Sequence, residues 1–80
     1  AVTDEERCLR EGMEAMMRGE FEPGLRGYSR TLEFNPASRA GWAGQVRCLV
    51  ELGRLSDAGQ WGDLALERFP EDRELLSLKA

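Results

Sequence analysis

The chain has 80 residues, of which 41% are hydrophobic and 32% charged, and its formal net charge is −4. This length suits one domain, and the composition is typical of a chain that folds. The acidic balance argues against binding to nucleic acid or an anionic membrane. No apolar run approaches the roughly 18 residues of a membrane-spanning helix, and histidine, the commonest general base and metal ligand, is absent. We expect a cytoplasmic, non-enzymatic protein without a cofactor, which neither binds nucleic acid nor inserts into a membrane.

The first predicted helix spans about residues 4–18. Thr3 and Glu6 have the spacing of a capping box, in which the first residue accepts a hydrogen bond from a backbone N–H at the helix start. Gly19 is expected to end the helix. The apolar or small residues at helical spacing are Cys8, Leu9, Gly12, Met13 and Met16.

A second helix follows the short break around Gly19. Pro23 falls in its first turn, where a proline is tolerated, and Asn35-Pro36 ends the pattern. Its apolar positions are Leu25, Tyr28 and Leu32.

The third and fourth helices repeat this plan. Ser38 is the predicted N-cap of the third helix and Gly53 its stop, whereas Ser56 is the predicted N-cap of the fourth and Pro70 marks its end. The apolar positions are Trp42, Val46, Leu49 and Val50, then Trp61, Leu64, Ala65 and Phe69. Both tryptophans stand on these apolar stripes, so we expect both in the core.

The segment from Glu71 to Lys79 carries Leu75, Leu76 and Leu78 and predicts a fifth, terminal helix. A stack of helical pairs leaves one apolar face open, and an added amphipathic helix covers it.

Cys8 and Cys48 are 40 residues apart within helical patterns. This spacing matches neither a metal knuckle nor a disulfide framework. We expect two buried thiols.

A shift of 34 positions aligns the residues that end the predicted helices with one another. It brings Pro36 onto Pro70 and Gly19 onto Gly53. Apolar, small and acidic residues also keep step, as the pairs Phe21 and Leu55, Leu32 and Leu66, Gly24 and Ala58, Thr31 and Ala65, and Glu33 and Glu67 show. A fixed period of this length indicates a repeat of helical hairpins.

With glycine at the hairpin turn, small residues where helices cross and a closing proline, the chain resembles the tetratricopeptide repeat family. The predicted organisation is a single domain with repeat 1 at about 5–38, repeat 2 at about 39–72 and a terminal helix at about 71–79. The resemblance implies an all-α fold, an α-α superhelix of about five helices. Val46 and Gly62 depart from the family pattern. Several glycines fall inside predicted helices, where each costs on the order of 1 kcal/mol, so we expect modest stability. The chain is then either a segment of a longer array or a domain that gains stability from a partner or from self-association.

The resemblance also implies a function, namely a scaffold that binds a peptide or helix of another protein on the concave surface. The residues that the family geometry places on that surface are Glu6, Leu9, Arg10, Met13, Met16, Met17, Ala40, Ala43, Gly44, Arg47, Val50 and Glu51. Those we assign to peptide binding are Leu9, Arg10, Met13, Met17, Arg47 and Val50. Two simpler interpretations remain open: Met13 and Met16 pack against neighbouring helices, and Arg10 and Arg47 are solvated or locally paired.

Two other functions also remain open. Exposed methionines and leucines, or the end of the stack, would allow self-association, which would make the chain an oligomerisation element. Alternatively, the chain is an accessory region of a larger enzyme or of a secretion or assembly protein.

Overall fold

The computed structural model describes residues 2–79 as an all-α domain. Its five helices are α1 (Asp4–Met17), α2 (Phe21–Phe34), α3 (Arg39–Glu51), α4 (Leu55–Arg68) and α5 (Arg73–Lys79). Each helix packs against the next through a short connection, as antiparallel pairs. The prediction of an all-α domain of about five helices is confirmed. Within the described range, none of these helices has both the length and the apolar character needed to span a lipid bilayer.

Side-chain caps fix the starts of α1 and α3. The Thr3 hydroxyl accepts a hydrogen bond from the Glu6 backbone N–H at 3.1 Å, and the Ser38 hydroxyl accepts one from the Gly41 N–H at 3.1 Å. These N–H groups have no acceptor within their own helix, so the caps satisfy them. Both predicted N-caps are confirmed.

The start of α4 differs from the prediction. Gly19 and Gly53 follow the ends of α1 and α3 with φ of 77° and 76°, the left-handed conformation that glycine adopts without strain. After Gly53 the chain regains helical geometry at Leu55, and the N-cap is Arg54, which makes no side-chain cap hydrogen bond. Ser56 therefore lies inside the first turn, and its prediction as N-cap is wrong.

The helix α3 is the centre of the domain, because it packs against each of the other four helices. The hydrophobic core contains Trp42, Ala43, Val46, Ala65 and Leu75. Elsewhere in the interior, Cys8 and Cys48 are buried free thiols, as predicted.

The terminal helix α5 is held onto this core by apolar and polar contacts. Leu75 is fully buried, and the Asp72 carboxylate accepts a hydrogen bond from the Leu75 N–H at 3.1 Å. The same carboxylate lies 3.4 Å from the Arg39 guanidinium of α3. Because Asp72 serves as the cap, α5 begins at Arg73, two residues later than predicted.

The five helices form two layers. In one layer α1 packs against α3 and α3 against α5. The other layer contains α2 and α4. Among the described residues, no Cα atom of α2 lies within 8 Å of a Cα atom of α4. A gap therefore separates α2 from α4, and α3 lies beneath it.

Candidate functional site

The layer of α1, α3 and α5 carries a shallow cleft of about 210 Å³. Two of its lining residues come from α1, three from α3, one from α5 and one from α2 below. They are Met13, Met16, Ala40, Ala43, Gly44, Glu74 and Tyr28. We call this surface the methionine cleft.

Tyr28 is buried in the methionine cleft against a glycine. A Cβ atom added to Gly44 would overlap the Tyr28 ring, so the absence of a side chain there gives the ring its place. Burial raises the pKa of Tyr28 to about 12, with smaller contributions in the same direction from Cys48 and Glu74 and an opposing one from Arg47. The phenol is therefore neutral at physiological pH and contributes an aromatic surface.

The two methionines of the cleft differ in exposure. Met16 is half-buried, and the Cys48 Sγ atom lies 3.9 Å from its Sδ atom in a thiol hydrogen bond. Burial raises the pKa of Cys48 to about 11, so this thiol also stays neutral. Met13 instead leaves 48% of its surface exposed. The simple packing interpretation therefore describes Met16 better than Met13, about half of whose surface is open to solvent.

The six residues assigned to peptide binding lie on α1 and α3. Met13 lines the methionine cleft, and Met17 is 85% exposed. Arg10 and Arg47 are exposed, whereas Leu9 and Val50 are half-buried. Arg47 is near enough to Tyr28 and Cys48 to influence both electrostatically. The role of these six residues in peptide binding stays a prediction.

Two lining residues of the methionine cleft lie outside the surface set predicted from the first two repeats, namely Tyr28 on α2 and Glu74 on α5. Tyr28 reaches the cleft because Gly44 leaves room between α1 and α3. A large aromatic residue in one repeat and a glycine in the next helix is the signal that predicts such a contact. Glu74 depends on where α5 packs, which helical periodicity alone does not determine.

A second cleft, of about 300 Å³, lies over α3 in the gap between α2 and α4. Its lining residues are Ser29, Leu32, Glu33, Pro36, Trp42, Gln45 and Trp61. We call it the tryptophan cleft. Trp42 is buried as predicted, but Trp61 is 40% exposed, so the prediction that it lies in the core is wrong. The separation of α2 from α4 leaves one side of Trp61 uncovered.

Within residues 2–79, no group of three or more cysteine or carboxylate side chains is placed to hold a metal ion. No protein-family model matches the chain, and neither a curated protein nor a solved structure matches it.

Proposed function

We propose that the domain is a non-catalytic interaction module of the tetratricopeptide type, which binds a peptide or helix of another protein in the methionine cleft. The observation that carries this proposal is the position of the cleft across α1, α3 and α5. Helices α1 and α3 are the first helices of the two hairpins, and first helices line the concave surface in a tetratricopeptide superhelix. The terminal helix α5 follows α3 in the same layer. The 34-residue period supports the same assignment.

The chemistry of the methionine cleft suits an apolar side chain on an amphipathic segment. Met13 and Ala40 are exposed at its edge, and thioether side chains adapt to irregular partners because they are flexible and polarisable. Glu74 supplies a negative charge on the α5 side. A partner helix would place an apolar residue over Met13 and a cationic one towards Glu74.

The test is capture of partners from a lysate of the source organism with the wild-type chain and with a Met13→Glu, Ala40→Glu double variant. Both changed residues are exposed, so circular dichroism should show that the variant folds. A Leu55→Glu, Gln60→Glu variant is the matched control, because it adds the same charge at exposed positions of α4.

We expect one partner to be retained by the wild type and the control and lost by the Met13→Glu, Ala40→Glu variant. A partner held equally by all three chains would contradict the proposal. If the captured partner is a second copy of the chain, the domain is an oligomerisation element instead.

A further inference from the structure

The tryptophan cleft has aromatic and apolar walls. The rings of Trp42 and Trp61 lie 5.7 Å apart, centroid to centroid, with 50° between their planes. Leu32 and Pro36 add apolar surface from the end of α2. The Trp42 indole N–H donates to the Pro36 carbonyl oxygen at 2.7 Å, so the polar atom of this indole already has a partner. Trp61 keeps 40% of its surface exposed.

Among the side chains that line this cleft, the charge is negative and unpaired. Ser29 and Gln45 hydrogen-bond to each other at 3.0 Å, which satisfies a polar group on each side chain. Glu33 is the one charged side chain among the described lining residues. It makes no hydrogen bond or ion pair with another residue of the described chain. A carboxylate beside an aromatic surface is complementary to a cation.

The protein already places a guanidinium against this tryptophan pair. The Arg68 Cζ atom lies 5.7 Å from the centroid of the Trp42 ring. This is within the distance at which a cation is attracted by the ring quadrupole. Trp61, the more exposed ring, remains accessible for the same kind of contact.

We propose that the tryptophan cleft binds an arginine side chain of a partner protein. The planar guanidinium stacks on Trp61 and donates two N–H groups to the Glu33 carboxylate, a geometry that a lysine ammonium does not reproduce. The aliphatic part of the arginine lies against Leu32 and Pro36. A cleft of about 300 Å³ is at the small end of ligand sites, so it suits one side chain better than a whole helix.

Tryptophan fluorescence tests this directly. The chain has two tryptophans, and both line this cleft. We expect the peptide acetyl-Gly-Arg-Gly-amide to change the emission in a saturable way, with a dissociation constant on the order of 1 mM because the contact area is small. The same peptide with citrulline in place of arginine, which has similar shape but no charge, should bind at least about tenfold more weakly.

Variants separate this site from the methionine cleft. Glu33→Gln should weaken the arginine peptide about tenfold, whereas Glu14→Gln, an equal change of charge on α1, should leave its affinity unchanged. Met13→Glu, which changes the methionine cleft, should also leave the affinity for the arginine peptide unchanged. The two proposals can therefore fail independently of each other. No saturable change, equal binding of the citrulline peptide, or unaltered affinity in a folded Glu33→Gln variant would each overturn the inference.

Discussion

The two helical hairpins use the same period to make two different interfaces. Between α1 and α2, a Cβ atom added to Gly27 would lie 2.7 Å from the backbone of Gly12, so the two helices meet backbone to backbone. One period later, Val46 and Trp61 replace these glycines. Between α3 and α4 the contact is therefore made by side chains, including the Trp42–Trp61 pair at 5.7 Å. A repeat preserves the helix order while its interface chemistry changes.

This difference revises the expectation that every helical glycine is a simple cost. Gly27 and Gly44 leave space that a neighbouring helix or ring fills. At Gly59, no side chain and no other helix lies within 4 Å of where its Cβ would stand, apart from its chain neighbours. Glycine thus supports the packing within the first hairpin and between the two hairpins, while in α4 one glycine occupies a position that packing does not require.

The largest expected effect is therefore a pair of opposite changes in stability. Gly27→Ala should lower the free energy of unfolding by about 2–3 kcal/mol, because its methyl group would push α1 and α2 apart. Gly59→Ala should raise it by about 0.5–1 kcal/mol through helix propensity. Urea unfolding followed by circular dichroism measures both. Effects of the same sign would show that the two hairpins do not differ in this way.

A pH titration also distinguishes the two hairpins. A shift of 34 residues brings Tyr28 of the first hairpin onto Gly62 of the second, so the second hairpin has no phenol at this position. Burial raises the pKa of Tyr28 from 10.0 to about 12 and that of Cys48 from 9.0 to about 11. Between these values the folded chain still binds protons that the unfolded chain has released. The contribution of the two neutral groups to the free energy of unfolding is therefore complete below about pH 9 and is lost as the pH rises towards about 12.

The decline in stability at high pH should be on the order of 2 kcal/mol. Thermal melting between pH 8 and pH 11 measures it. A Tyr28→Phe variant should keep the fold and lose the part of the decline that begins near pH 10. A melting temperature that is constant across this range would contradict the burial of both groups.

The two serines expected to cap α3 and α4 give a smaller contrast. Ser38→Ala should lower the free energy of unfolding by about 1 kcal/mol, because the Gly41 N–H loses its acceptor. Ser56→Ala should change it by less than about 0.5 kcal/mol, since Ser56 is exposed inside the first turn of α4. Chemical unfolding of the two variants side by side tests this. Equal losses would mean that Ser56 has a contact of its own.

The smallest effect concerns the ion pair that joins α2 to the start of α4. The Arg54 guanidinium lies 2.7 Å from the Glu22 carboxylate, but both side chains are about half exposed, at 48% and 51%. Arg54→Ala should therefore lower the free energy of unfolding by no more than about 0.5 kcal/mol, and added salt should reduce even this difference. A loss above about 1 kcal/mol would mean that the ion pair between Arg54 and Glu22 helps to hold α2 and α4 in their relative positions.

The sequence was informative where local chemistry decides the structure. Thr3, Ser38, Gly19 and Gly53 each act through their own backbone or the next turn, and all four were predicted correctly. The prediction that Trp61 is buried was wrong, because its burial depends on the distance between α2 and α4. The local sequence pattern does not determine that distance. The repeat boundaries at 5–38 and 39–72, and the peptide-binding role of the six residues on α1 and α3, stay predictions.

The most direct test of a binding site in the methionine cleft compares two adjacent positions on α1. Met13 lines the cleft, and Glu14 points about 100° away around the helix. A photoreactive benzoylphenylalanine at each position, irradiated with the partner present, reports which side of α1 the partner contacts. Our account predicts a cross-linked partner from position 13 and none from position 14. Equal cross-linking, or cross-linking from position 14 alone, would contradict it.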